Sequence, residues 1–91
     1  MRSACEKKIK GKFLLFMRKW FHGQGDCCPI YDWNKFIVND FSVEERSLAI
    51  TFTEKLIAAK YIEIIEKNNE EYVAISGYGA EMIKRNKIEV D

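Results

Sequence analysis

The segment Tyr61 to Ile83 reads YIEIIEKNNEEYVAISGYGAEMI and directly follows the longest uninterrupted helical pattern in the chain. Its apolar residues recur with a period near two rather than 3.6. YIEIIE and EYVAI therefore read as strands, with Ile64 and Ile75 expected to be largely buried, and Lys67-Asn68-Asn69-Glu70 as the turn between them. Asn tolerates the positive φ that tight hairpin turns require. Beyond the hairpin Ser76 can cap a last helix, about 77–86, that carries Met82 and Ile83 inward. The remaining NKIEVD reads as a frayed tail. An isolated hairpin is marginal in water, so this one needs cover from the residues before it.

Those residues supply helices. Over about 3–22, Ile9, Phe13, Phe16 and Trp20 recur at helical spacing, with Met17 and Phe21 beside them. Lys7, Lys8, Lys12, Arg18 and Lys19 fall on the opposite face. Gly11 weakens this helix by roughly 1 kcal/mol relative to Ala. Gly23 to Asp26, GQGD, ends it. CCPIY (Cys27–Tyr31) reads as a short extended piece, because Pro29 pushes Cys28 out of the helical region. Asp32 is expected to cap a short helix over 33–40, with Tyr31 and Phe36 as a hydrophobic staple and Trp33, Phe36 and Ile37 on its buried side. Ser42-Val43-Glu44-Glu45 has the pattern of a capping box. It opens a helix over about 43–60, with Leu48, Phe52, Leu56 and Ala59 expected to face inward.

Ninety-one residues suit one α+β domain over 1–91, and 47% apolar content with six Phe, four Tyr and two Trp can fill its core. No run approaches the roughly 20 apolar residues of a membrane span. The five-residue FLLFM, followed at once by Arg18 and Lys19, is too short for a secretory signal. Three cysteines, two of them adjacent, make a poor disulfide framework, and a cytoplasmic chain with reduced thiols is expected. Net charge is +1, but seven of the fifteen Lys and Arg, against one of the fourteen acids, lie in the first 25 residues. An anionic partner would meet that segment first.

The order helix, short strand, helix, helix, hairpin, helix matches a winged helix, in which the third helix runs straight into a two-stranded wing. LIAAKYIEI (Leu56–Ile64) resembles that helix-to-wing junction. YVAISGYGAEMI (Tyr72–Ile83) resembles the exit from the wing in MarR-like and PadR-like regulators. Ile75-Ser76 stand in the place of their Leu-Thr, and Gly79 in the place of their glycine. The likeness covers about residues 4–86 in pattern and 56–83 in motif. It implies a small, homodimeric, DNA-binding transcriptional regulator acting on double-stranded DNA. Winged helices also serve as protein-docking modules, so that alternative stays open.

Carried over residue by residue, the groove-facing set is Arg46, Ser47, Ile50 and Thr51, with Lys67 at the wing tip. Glu44 and Glu45 sit among them. Acids suit the first turn of a helix, but they also take the place of cations that phosphate binding needs. The basic face of the first helix could instead lie on phosphates or on an acidic protein.

No phosphate-cradling loop or nucleophile elbow appears, and neither an enzymatic activity nor a cofactor is expected. His22, Asp26, Cys27 and Cys28 cluster, but adjacent cysteines lack the two-to-four-residue gap of structural zinc ligands, and no metal is expected.

Overall fold

The computed structural model describes residues 4–90, with side chains from Glu6 onward. Helix α1 (Ala4–Trp20) leads through a loop to strand β1 (Cys27–Pro29), followed by helices α2 (Ile30–Asp40) and α3 (Val43–Ala58). Strands β2 (Ile62–Lys67) and β3 (Glu70–Ile75) form the hairpin, and helix α4 (Gly77–Lys84) follows. The fold is α+β: four helices and a three-stranded antiparallel sheet of order β1-β3-β2. The short CCPIY segment pairs with the hairpin, Cys28 standing opposite Val73 and Val73 opposite Ile64. Among the described residues no helix is long and apolar enough to cross a membrane.

The hairpin turn forms because Asn68 and Asn69 accept φ of 52° and 64°, the left-handed geometry a two-residue turn needs. The hairpin exit is tied to the end of α3 through one hydroxyl. Ser76 Oγ accepts from Gly79 N at 2.9 Å and lies 2.6 Å from Lys60 O and 3.0 Å from Tyr61 O. Gly79 is required there, since a Cβ would overlap the Tyr61 carbonyl oxygen.

Helix α1 buries Ile9, Phe13 and Met17, one residue per turn, and Phe21 is buried just past its end. Phe13 is the centre of the core. Its ring lies 5.7 Å from Trp33, 5.1 Å from Phe36, 5.6 Å from Phe41 and 4.8 Å from Phe52. Phe16 and Trp20 pack only partly. The helix stops at Trp20, two residues short of expectation; its expected start at residue 3 and the Cys5 side chain lie outside the described residues. Asp26 Oδ2 closes the following loop by accepting from His22 N at 2.7 Å and Gly23 N at 3.0 Å.

Four local expectations are corrected. Helix α2 begins at Ile30, with Pro29 at its N-cap and no side-chain cap. Proline's fixed φ suits a helix start, so Asp32 falls in the first turn, where the helix dipole favours an acid. Tyr31 is exposed, and the staple with Phe36 is absent. On α3 the innermost residues are Ala49 and Leu56, while Leu48 is 43% exposed. Ile64 is 40% exposed although it shares a sheet face with buried Val73, because β2 is an edge strand.

The tail is not frayed at its described residues. Asn86 takes φ of 57°, and Asn86 N and Lys87 N bond back to Ile83 O and Met82 O, a Schellman ending for α4. That turn redirects the chain so that Ile88 packs at 1% exposure and Glu89 N donates to the Tyr61 hydroxyl at 3.0 Å. Helix α3 ends the same way, with Lys60 at φ 68° and bonds from Lys60 N to Ile57 O and Tyr61 N to Leu56 O.

Candidate functional site: the outward face of helix α3

The start of α3 is fixed by the expected capping box. Glu45 N donates to Ser42 Oγ at 3.2 Å, and Ser42 N donates to Glu45 Oε1 at 2.9 Å. The Glu45 carboxyl is held below its ordinary value, first by the Ser42 amide and then by the Lys8 ammonium 3.2 Å away. The cap fixes which residues of α3 turn outward.

Those outward residues include Ser47, Ile50 and Thr51 from the expected groove-facing set, together with Val43, Glu44 and Glu54. Arg46 does not join them. Its Nη2 donates to Val38 O of α2 at 2.9 Å, the residue is half-buried, and its Nε has no hydrogen-bond partner. Lys67 stands exposed on the hairpin, opposite Glu70 in the strand register and beside the Glu66–Glu71 pair. Glu70 in turn accepts from the Tyr72 hydroxyl at 3.1 Å, which pushes that phenol's pKa up.

Sequence reasoning missed Ile57 and the line it forms with Val43. Val43, Ile50 and Ile57 form a β-branched series at seven-residue spacing, exposed by 73%, 50% and 36% from the start of the helix to its end. Seven residues are close to two helical turns, so the three lie along one stripe. The spacing was legible in the chain, but the search for inward positions passed over it.

The flank of α3 that carries Leu48 and Lys55 borders a different feature. There α1, α3 and the tail enclose a cavity of about 380 Å³, walled by Ile9, Lys10, Leu48, Phe52, Lys55 and Ile88.

The basic face of α1 is largely spent within the molecule. Lys8 pairs with Glu45, Arg18 Nη2 reaches Ile83 O at 3.4 Å, and Lys12 Nζ bonds Asp40 O while lying 5.0 Å from the Phe41 ring centroid. Lys7 and Lys19 remain exposed.

The two thiols of the His22–Cys28 stretch diverge. Cys27 and Cys28 are neighbours on a strand and point to opposite sheet faces. Cys28 is fully buried, and burial, with the nearby Asp32 charge, pushes its thiol up to about 12. Cys27 Sγ lies 3.3 Å from Gly25 O, and the Asp26 carboxylate is occupied by the loop amides. Among the described residues no group of three or more His, Cys, Asp or Glu gathers to hold a metal ion.

No family model, curated protein or solved structure matches this chain.

Proposed function

We propose that the chain is a winged-helix protein-docking module whose α3 helix meets a protein partner rather than DNA. The element order and the β1-β3-β2 sheet support the winged-helix reading. One observation carries the docking reading: α3 exposes a line of three β-branched residues flanked by Glu44 and Glu54, while the sole cation of its first turns, Arg46, is drawn back onto α2. Phosphate contacts dominate affinity for DNA, and this face offers them almost nothing. Exposed aliphatic side chains in a row are the ordinary anchor of helix-on-helix recognition.

The DNA-binding reading is second. Exposed Ser47 and Thr51 on α3 and exposed Lys67 on the hairpin favour it, since these are positions a winged helix turns toward a duplex. Fluorescence anisotropy on a random-sequence duplex across a salt series separates the two. The docking module binds more weakly than the roughly 10⁻⁶–10⁻⁴ M of ordinary non-specific binders at physiological salt. Tight, salt-sensitive binding that Ser47→Glu with Thr51→Glu abolishes would overturn it.

A further inference from the structure

We infer that the cavity between α1, α3 and the tail binds an aliphatic monocarboxylate of medium chain length, with its hydrocarbon inside and its carboxylate held at the mouth by Lys10 and Lys55. The site lies on the flank of α3 away from Val43, Ile50 and Ile57, so it stands whether or not that stripe meets a partner.

The walls set the class of the buried part. Ile9 of α1, Leu48 and Phe52 of α3, and Ile88 and Val90 of the tail line the cavity. All but Phe52 are branched aliphatic side chains, and Phe52 packs its ring against Phe13 of the core, 4.8 Å between centroids. Ile9 and Ile88 are closed to solvent, whereas Leu48 is largely exposed, so the space has a deep end and an open side. Its volume of about 380 Å³ falls at the small end of ordinary ligand sites, roughly 300–1,000 Å³.

The rim sets the head group. Lys10 on α1 and Lys55 on α3 line the cavity from opposite walls, and both are half-buried. A lysine so placed lays its stem on apolar surface and keeps its ammonium at the water edge. Unlike Lys8, Lys12 and Arg18, neither makes an ion pair or hydrogen bond among the described residues. An anion seated between them gives both a charged acceptor. Lys7, Glu6 and Glu89 complete the rim. Three lysines against two glutamates leave one positive charge, which suits a carboxylate better than a phosphate dianion.

The tail links binding to its own docking. Glu89 N donates to the Tyr61 hydroxyl at 3.0 Å, which holds Ile88 and Val90 against the cavity. A ligand packed on those two side chains adds to what keeps the tail down, so opening the tail costs more when the site is filled.

Isothermal titration calorimetry of the full chain with sodium octanoate tests this. One octanoate binds per chain. Across hexanoate, octanoate and decanoate, each added methylene tightens binding about fourfold. Octylammonium, with the same chain and the opposite charge, binds at least about tenfold more weakly than octanoate. Lys10→Met and Lys55→Met keep the stems and each weaken octanoate binding about fivefold or more. Leu48→Trp fills the open side and removes saturable binding. At octanoate about ten times its dissociation constant, hydrogen exchange at Glu89 N slows about tenfold. Thermal melts without ligand check that the variants fold, and the series on the parent chain decides the ligand class even where one does not.

No saturable binding, an affinity independent of chain length, equal binding of octylammonium, or lysine variants that bind as the parent does overturns the proposal. Several octanoates per chain, unchanged in Leu48→Trp, is surfactant adsorption and overturns it as well.

Discussion

Helices α1 and α3 are nearly equal in length, 17 and 16 residues, and cross the same core, yet they dispose of their side chains in opposite ways. Helix α1 looks like a charged, partner-seeking element in the sequence, but three of its cations are engaged by Glu45, by the Asp40 carbonyl with the Phe41 ring, and by the Ile83 carbonyl. Helix α3 has only two fully buried apolar residues and leaves four aliphatic ones on its surface. A basic face is evidence for an anionic partner only after its internal partners have been counted. An apolar residue at helical spacing is evidence for a core only after its angle around the helix is known.

The contrast is broken most sharply by truncating one ring and one aliphatic chain. Phe13→Ala removes the α1 ring that four other aromatics surround, and should lower stability by about 3–5 kcal/mol. Ile50→Ala removes a half-exposed side chain of α3 and should change stability by no more than about 0.5 kcal/mol. Chemical denaturation of both measures the difference. Equal losses would mean that α3 is packed as deeply as α1 and has no outward face to offer.

Ile88→Ala comes next. Ile88 is buried at the seam where α1, α3 and the tail meet, and the loss should be about 2 kcal/mol, the low end for a buried Ile because a chain end can relax into the gap. Its effect sharpens the contrast by showing that the tail packs beside the Leu48 flank of α3 and away from the Ile50 flank. Hydrogen exchange at Glu89 N, bonded to the Tyr61 hydroxyl, should quicken in the same variant. An unchanged melting curve and exchange rate would return the tail to a frayed state.

What the sequence made legible was what short-range stereochemistry dictates. The Ser42–Glu45 box, the Asn68-Asn69 turn and the Ser76 cap each need only three or four adjacent residues, and each formed as expected. The misreadings lie where tertiary context decides. Asp32 was a good cap by type, but Pro29 had already started the helix. Leu48 and Ile64 have apolar side chains at plausible positions, yet one lies beside a cavity and the other on a free sheet edge. The docked tail was signalled by Asn86, a residue type that accepts left-handed φ, but one Asn in a charged stretch was too local a sign to place Ile88 in the core. For the site, exposure of Ser47, Ile50 and Thr51 was readable from the helix period. The retreat of Arg46 onto the Val38 carbonyl was not, because it depends on where α2 passes.

Ser42→Ala tests whether the orientation of the outward stripe depends on the cap. It should cost about 1 kcal/mol, within the usual range for an N-cap hydroxyl. The loosening should stay within the first turn, so amide exchange should quicken around Val43 and not at Ile50. Exchange that quickens along the whole helix would mean that the cap sets the orientation of the entire face.

The smallest effect concerns an ion pair that joins the two helices, Lys8 with Glu45. The Glu45 carboxyl is held below its unfolded value of about 4.5 by the Ser42 amide first and the Lys8 ammonium second. A group whose folded pKa is depressed contributes stability that is fully present above its unfolded value. That contribution disappears as pH falls from about 4.5 through the lower folded value. Melting temperature should therefore drop below about pH 4.5 more steeply in the parent than in Glu45→Gln, which keeps an acceptor for the Ser42 amide but cannot titrate. Lys8→Met should make the parent's drop shallower without flattening it, because the larger cause, the Ser42 amide, remains. If Lys8→Met alone flattens the profile, the ammonium and not the cap controls Glu45. Helix α1 would then be the element that sets the start of α3, and the two helices could no longer be read as separate faces of one core.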